Sequence, residues 1–432
     1  MNNIVIVGGG AGGLELASKL GRVLGPTRVS LVDCRLSHIW KPSLHEVAAG
    51  SLDSHAESLD YRTVAHDNGF TFVYGALIAV NAEQKFATVA AVMGEDGETI
   101  LPERDLPFDA LVIAVGSTSN YFGVQGAAEH TISLNATEDA ERFRLKMLKL
   151  LTSADIRKET NTEARVNIVI IGGGATGVEL AAELREASGV YASYGFRKLD
   201  PNKDVTLTIL EGATRILAPL PERVSKAASK LLARRHVMVK TECRVTNITS
   251  THVEDSTGAS YPADLCVWAA GIRAPAFLST LGLPVNKGGQ IVVDENLLVA
   301  GVGSHIYALG DCAFCADKDG KAVPPRAQAA HQQADYLYRR LTKAALGKQM
   351  PLGPYVYKDY GSLVSMGSQT SVGSLMGSLK GVSWFIEGFF ARMMYVSLHL
   401  MHHQAVLGTL RTGVLAVARF LIKRSKPLVK LH

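Results

Sequence analysis

Residues Ile4 to Gly13 read IVIVGGGAGG, an apolar run that breaks into glycines, and Asp33 closes the next apolar run 20 residues past Gly13. Gly8, Gly10 and Gly13 keep the spacing G-x-G-x-x-G, with Gly12 between the last two. Each part has a physical use. The glycines allow a tight turn, close approach of backbone to a pyrophosphate, and close packing of helix on strand. The helix start offers free N–H groups and a positive dipole end, and the acid accepts hydrogen bonds from a ribose.

One such turn is weak evidence, because many strand-to-helix turns are glycine-rich. Here the pattern recurs: Gly172, Gly174 and Gly177 lie in IIGGGATG, and Glu211 ends the following apolar run from Val205 to Leu210. Two cradles imply two dinucleotides and an α/β chain of two Rossmann-like dinucleotide-binding domains. An acid at position 211 repels a 2′-phosphate, which favours NADH over NADPH, although Arg215 lies four residues on.

Around the cradles, periodicity predicts helices over Leu14 to Leu24 and Val178 to Glu186, with an extended helix end and loop over Tyr191 to Lys203. The apolar runs Leu111 to Val115 and Leu265 to Ala270, closed by Gly116 and Gly271, are expected to end the two sheets. A third run, Ile306 to Leu309, leads into Gly310-Asp311, and Pro324-Pro325 precedes a helix to about Leu341.

The bulk composition fits two domains with an appendage: 432 residues, 47% hydrophobic and 20% charged. Of the net charge of +5, the segment from Gly388 onward holds seven Lys or Arg and no acid, leaving the rest slightly negative. That asymmetry points to an anionic partner for the tail, membrane lipid or nucleic acid, with the absence of acids favouring an anionic lipid surface, and to no nucleic-acid partner for the body. Arg411, Arg419 and Lys423 share one helical side while Val414, Val417, Ala418 and Leu421 lie toward another. Trp384, Phe385, Phe389, Phe390, Met393 and Met394 add an apolar stripe at near-helical spacing upstream. Removing everything from Trp384 onward is expected to leave both nucleotide sites working.

Met393 to Leu410 is uncharged but holds His399, His402, His403 and Gln404, which a bilayer core penalises, so no spanning helix is expected. Five cysteines suggest a reducing compartment, and residues 1 to 3 leave no room for a signal peptide, which together suggest the cytosolic side. No cysteine lies between Arg35 and Glu242, which removes the thiol–disulfide chemistry. Cys312 and Cys315 lack further ligands at metal spacing, and no metal site is expected.

Several stretches carry a family resemblance: HIWKPSLHEVAAG (His38 to Gly50), GGGATGVE (Gly172 to Glu179), WAAG (Trp268 to Gly271), ALGD (Ala308 to Asp311) and PPRAQAAHQQ (Pro324 to Gln333). With the paired cradles, they resemble the type II NADH:quinone oxidoreductases, and the single-chain bacterial branch in particular. The resemblance implies a glutathione-reductase-like architecture with residues 1–118 and 290–352 holding FAD, 119–289 holding NADH, and 353–432 forming basic amphipathic membrane-binding helices. It assigns FAD to Gly8, Gly10, Gly12, Gly13, Asp33, Lys41, Gly116, Asp311 and Ala327. NADH falls to Gly172, Gly174, Gly177, Glu179, Glu211 and Gly271, with Glu179 orienting the nicotinamide or handling protons.

The resemblance also implies a quinone site at Gln328 and Gln332, since the family's quinone motif A-Q-x-A-x-Q is matched by Ala327 to Gln332. The helix that carries it is expected to aim its positive end at the flavin, so that a proline at Ala327 would disrupt the helix and lower the flavin potential. The family's lysine before the late-strand glycine is replaced by Tyr360, with Lys358 two residues earlier. The implied enzyme is peripheral, on the cytoplasmic face of the inner membrane, passes two electrons in a ping-pong cycle without pumping protons, and pairs with a second copy through the tail in one variant of this reading. A soluble NADH-dependent ferredoxin or rubredoxin reductase, or a non-enzymatic NADH-sensing flavoprotein, would carry the same cradles.

Overall fold

The computed structural model describes the chain except for residues 197, 304, 318–319, 349–352, 368–370, 377–382, 423–428 and 431–432. In the first half, β1 (Ile4–Val7) feeds α1 (Ala11–Leu24), then β2 (Val29–Asp33), α2 (Leu44–Ala49), α3 (Ser54–Glu57), β3 (Thr71–Tyr74) and β4 (Ala110–Ile113). The pattern repeats in β5 (Ile132–Ser133), β6 (Val166–Ile171), α4 (Ala175–Ser193), β7 (Val205–Leu210), β8 (Val237–Lys240) and β9 (Leu265–Trp268). Next come β10 (Ile306–Ala308), α5 (Ala327–Ala345), β11 (Gly361–Ser365), β12 (Ser371–Met376), β13 (Ser383–Gly388), α6 (Phe389–Leu407) and α7 (Thr409–Ile422).

Two five-stranded parallel sheets result, ordered β10-β4-β1-β2-β3 and β5-β9-β6-β7-β8. Their central strands, IVIV and VNIVII, are almost wholly buried because helices cover both faces. Strands β4 and β9 do not end the sheets as expected. Each lies inside, flanked by β10 or β5, because the chain returns with one further short strand. The strand β10, more than 290 residues beyond β1, thereby joins the first sheet.

The C-terminal region is not all helical. Trp384 and Phe385 lie in β13, part of an antiparallel sheet β11-β12-β13, so they do not continue a helical stripe. The ring of Phe385 packs on the second core with Arg223 5.8 Å above it. The side chains of Trp384, Phe389 and Phe390, and the whole of Lys423, lie outside the described residues. Among the described residues, no helix is long and apolar enough to cross a membrane.

Helix α6 is built into the body. Val406 is fully buried in the first core, and Arg22 of α1 donates to its carbonyl at 2.6 Å. Truncation at Trp384 would strip this packing from α1, the helix of the first cradle; a cut after Gly408 spares α6. In helix α7, Arg411 pairs with Asp67 and Arg419 with Glu57, so these two basic side chains have partners on the body. Its apolar side chains Leu410 (83% exposed), Val414, Val417 and Leu421 point to solvent.

Candidate active site

The two cradles use their glycines in the same way. Gly8 and Gly172 have φ of +103° and +108°, and a Cβ on either would lie 2.5 Å from a carbonyl oxygen, of Ala114 and Ala269 respectively. A Cβ on Gly13 or Gly177 would lie 1.9 or 2.0 Å from the oxygen of Gly8 or Gly172, so helix and turn touch only because both positions lack one. Gly10 and Gly174 differ. Their φ of −67° and −71° suits any residue, and a Cβ would meet nothing within 4 Å. Neither backbone nor neighbour demands glycine there, so the space is open to a ligand.

Each cradle is tied to its acid by the same pair of bonds. Asp33 accepts from Gly9 N–H at 2.6 Å and Arg35 N–H at 2.8 Å; Glu211 accepts from Gly173 N–H at 2.6 Å and Ala213 N–H at 2.7 Å. The acids thus brace the turns, and burial raises the carboxyl of Asp33 despite those bonds. Neither α1 nor α4 has a side-chain cap or an acid in its first turn, so both helix starts keep their N–H groups for an anion.

Glu179 is the fifth residue of α4, beyond the first turn, so it does not complement the dipole. It is buried where α4, α2 and β11 meet. Ser365 N–H donates to Oε1 at 2.9 Å, and His45 Nδ1 stands 3.7 Å from Oε2. Burial pushes its pKa up to about 7, with His45 pulling the other way. Burial likewise raises Glu183, which accepts from Ser51. His45 lies in HIWKPSLHEVAAG but carries no periodicity or spacing that marks a role. Only the meeting of α2 with α4 places it beside Glu179.

On the FAD side, Lys41 donates to the Ser117 carbonyl at 3.0 Å, and Ser117 Oγ donates to Asp311 at 2.7 Å. Burial lowers the Lys41 pKa while Asp311 opposes it. Gly116, with φ +70° and open space at its Cβ, lies beside this group. A cleft between Asp311 and the start of α5 is lined by Gln290, Pro325, Arg326, Ala329 and Gln333. A Cβ on Gly12 would meet Leu309, which follows β10, and Ala330 of α5, so the missing Cβ lets that helix seat against the first cradle. Ala327 is the first residue of α5 after the extended Arg326, the position where proline is tolerated, so proline there would not break the helix as expected. On the NADH side, the space beside Gly271 is taken by the Phe122 ring, 2.7 Å from where a Cβ would sit.

Gln328 and Gln332 do share a face of α5, and their amides grip the segment that enters β11. Gln328 accepts from Tyr360 N–H at 3.3 Å and donates to the Gly361 carbonyl at 3.1 Å. Gln332 pairs with both backbone groups of Lys358, at 3.0 and 2.8 Å. They fix the chain that leads to β11 and so to Glu179. The five cysteines are free, and burial pushes Cys312 up to about 12 and Cys315 up to about 11, so both stay protonated thiols.

Two phosphate cradles on one chain, with a titratable acid buried between them and no redox cysteine pair, define a pyridine-nucleotide oxidoreductase that works through a bound flavin. Residues 2–334 match the model of the pyridine nucleotide-disulphide oxidoreductase family. The chain is 39% identical to the type II NADH:quinone oxidoreductase of Haemophilus influenzae, over the full length of both. It is 30% identical to a demethylphylloquinone reductase of Synechocystis over 87% of each chain. The structure of NDH2 from Plasmodium falciparum in complex with NADH shares the fold, with a TM-score of 0.84 at 19% identity over 100% of this chain and 99% of that one. The chain belongs to the type II NADH:quinone oxidoreductases, within the pyridine nucleotide-disulphide oxidoreductase family.

Proposed function

We propose that this enzyme oxidises NADH at the Gly172–Gly177 cradle and reduces quinone beside α5, with FAD held between them by Gly8, Gly10, Gly12, Gly13, Asp33, Lys41, Gly116, Asp311 and the start of α5 at Ala327. FAD held there would supply the two-electron chemistry, hydride acceptance from NADH and electron transfer to quinone. The observation that carries this reading is the pair Gly10 and Gly174, where space is kept that nothing in the protein fills. Residues 1–118 and 290–352 serve as the FAD part, 119–289 as the NADH part and 353–432 as the C-terminal part, of which α7 faces the membrane.

The site residues divide by task. Gly172, Gly174, Gly177, Glu211 and Gly271 bind NADH, and the carboxylate of Glu211 selects against a 2′-phosphate. Glu179, poised near neutral pH, holds or moves a proton at Oε2 toward His45. Gln328 and Gln332 position the wall against which quinone docks and offer it amide hydrogen bonds in competition with the Lys358–Gly361 backbone.

The enzyme is a peripheral membrane protein, and we assign its contact to the outward apolar side of α7 with the cytoplasmic leaflet. Arg411 and Arg419, being paired to the body, hold the helix in place and leave Leu410, Val414, Val417 and Leu421 for the lipid. Val414→Asp/Leu421→Asp should abolish pelleting with vesicles while leaving NADH-dependent flavin bleaching intact; unchanged pelleting would move the contact elsewhere. A wild type that sediments as a dimer without vesicles would assign the face to a second copy.

Rapid mixing tests the chemistry. NADH should bleach the flavin absorbance, NADPH should do so far more slowly, and a short-chain quinone added next should restore it. Bleaching that quinone does not reverse would keep both nucleotide sites and move the acceptor to a protein.

A further inference from the structure

We infer that His399, His403 and Glu57 form a binding site for a first-row divalent transition-metal ion such as zinc, at the seam where the C-terminal helix pair meets the nucleotide-binding body. His399 and His403 are one helical turn apart on α6, and their rings stack with centroids 4.5 Å apart and planes 10° from parallel. Glu57 ends α3, which belongs to the body. One potential ligand atom from each of the three residues lies within 4.8 Å of the other two, with His403 buried and the other two half-buried.

One ring has a defined tautomer. His403 Nδ1 lies 3.1 Å from the His399 carbonyl, which can only accept, so Nδ1 carries the proton and Nε2 presents its lone pair. A second bond of this kind commonly orients metal-ligating imidazoles. Trp40 packs edge-on against His399, with centroids 4.8 Å apart and planes at 75°. Glu57 pairs with Arg419 of α7, so its carboxylate already holds a positive partner that a metal ion can replace or share.

Two imidazoles and one carboxylate are the donor set of zinc centres that keep a fourth position for water. The nitrogen ligands favour zinc, cobalt, nickel or copper over magnesium and calcium, which prefer oxygen. Bonds of about 2.0–2.2 Å put ligand atoms roughly 3.3 Å apart, so atoms up to 4.8 Å apart close by as much as about 1.5 Å, with one imidazole turning out of the stack by side-chain rotation. Metal binding would join α3 to α6 directly and compete with Arg419 for Glu57, so it would alter how α7 is held.

Calorimetric titration of zinc chloride into metal-free, FAD-loaded full-length protein tests the site. One saturable zinc per chain is expected. Glu57→Gln should weaken binding about tenfold, and His399→Ala/His403→Ala about a hundredfold. Arg419→Gln, which removes the competing cation, should tighten it. Should the double alanine variant lose its flavin, His399→Gln/His403→Gln, which keeps bulk and polarity, serves in its place. Zinc affinity unchanged by loss of both histidines, or no saturable binding by the wild type, would overturn the assignment.

Discussion

His45 Nδ1 and Glu179 Oε2 face each other at 3.7 Å in a buried space between α2, which follows the first cradle, and α4, which follows the second. Low polarity there favours the protonated acid, and the imidazole partly offsets that preference. Glu179→Gln keeps an acceptor for the Ser365 N–H but cannot titrate. The expected result is a fall of at least about tenfold in the rate of flavin reduction by NADH, and loss of its pH dependence around pH 7. Stopped-flow bleaching from pH 5.5 to 8.5 checks it.

The same group makes a stability prediction of definite sign. Its folded pKa, about 7, exceeds the ordinary carboxyl value of 4.5, so the folded state binds more protons between those values, and the contribution to stability falls as pH rises from 4.5 through 7. Glu179→Gln should therefore raise the unfolding midpoint at pH 8, by the equivalent of roughly 1–3 kcal/mol, and change it little at pH 4. Denaturant melts at the two pH values decide.

The glycines divide into two kinds. Gly13→Ala drives a Cβ to 1.9 Å from a backbone oxygen and should prevent folding or flavin retention. Gly10→Ala meets no protein atom, so the fold should hold within about 1 kcal/mol while flavin is lost on gel filtration. Gly174→Ala should keep the flavin and raise the KM for NADH. A Gly174→Ala protein with unaltered KM would show that the second cradle does not carry NADH.

A buried network docks α6 on α1. Glu15 accepts from His402 at 2.9 Å and from His331 at 2.5 Å, and His402 Nε2 lies 2.9 Å from His38 Nε2. Burial would raise the Glu15 pKa, but the bonds from His331 and His402 outweigh it and hold it at about 2. The bond to Glu15 raises His331, against the effect of burial. The depressed carboxyl contributes stability above pH 4.5 that is lost toward pH 2, and the raised imidazole contributes below its ordinary 6.5 and loses that contribution as pH climbs through its folded value. Glu15→Gln should thus destabilise most near pH 5–6, by about 3 kcal/mol, with the difference shrinking toward pH 2. Melts across that range read the effect.

Gln328→Ala and Gln332→Ala each free part of the Lys358–Gly361 backbone. They are expected to raise the KM for quinone several-fold, leave flavin reduction by NADH unchanged, and speed hydrogen exchange at the Lys358 and Tyr360 amides. Unaltered quinone kinetics with faster exchange would make these glutamines purely structural.

The cradles, their acids and the central strands were legible because glycine spacing and apolar runs record local constraints. Leu111 and Leu265 were legible as strand residues but not as interior ones, since sheet order depends on where Ile306 and Ile132 return. His45 and the Glu15–His402 pair were invisible for the same reason: 134 residues separate His45 from Glu179, and 387 separate Glu15 from His402. The periodicity of α7 was readable, yet its orientation was not. Which side faces out depends on Asp67 and Glu57, residues far off in the chain that bind its arginines. The His399–His403 spacing was in plain view, but its meaning needed Glu57 beside it.

The most direct test of the enzyme's assignment is steady-state NADH oxidation by the purified yellow protein, with and without a short-chain quinone, and with NADPH and ferredoxin in parallel. Fast turnover that needs quinone and prefers NADH is the expected result. Turnover supported by ferredoxin and not by quinone would contradict it.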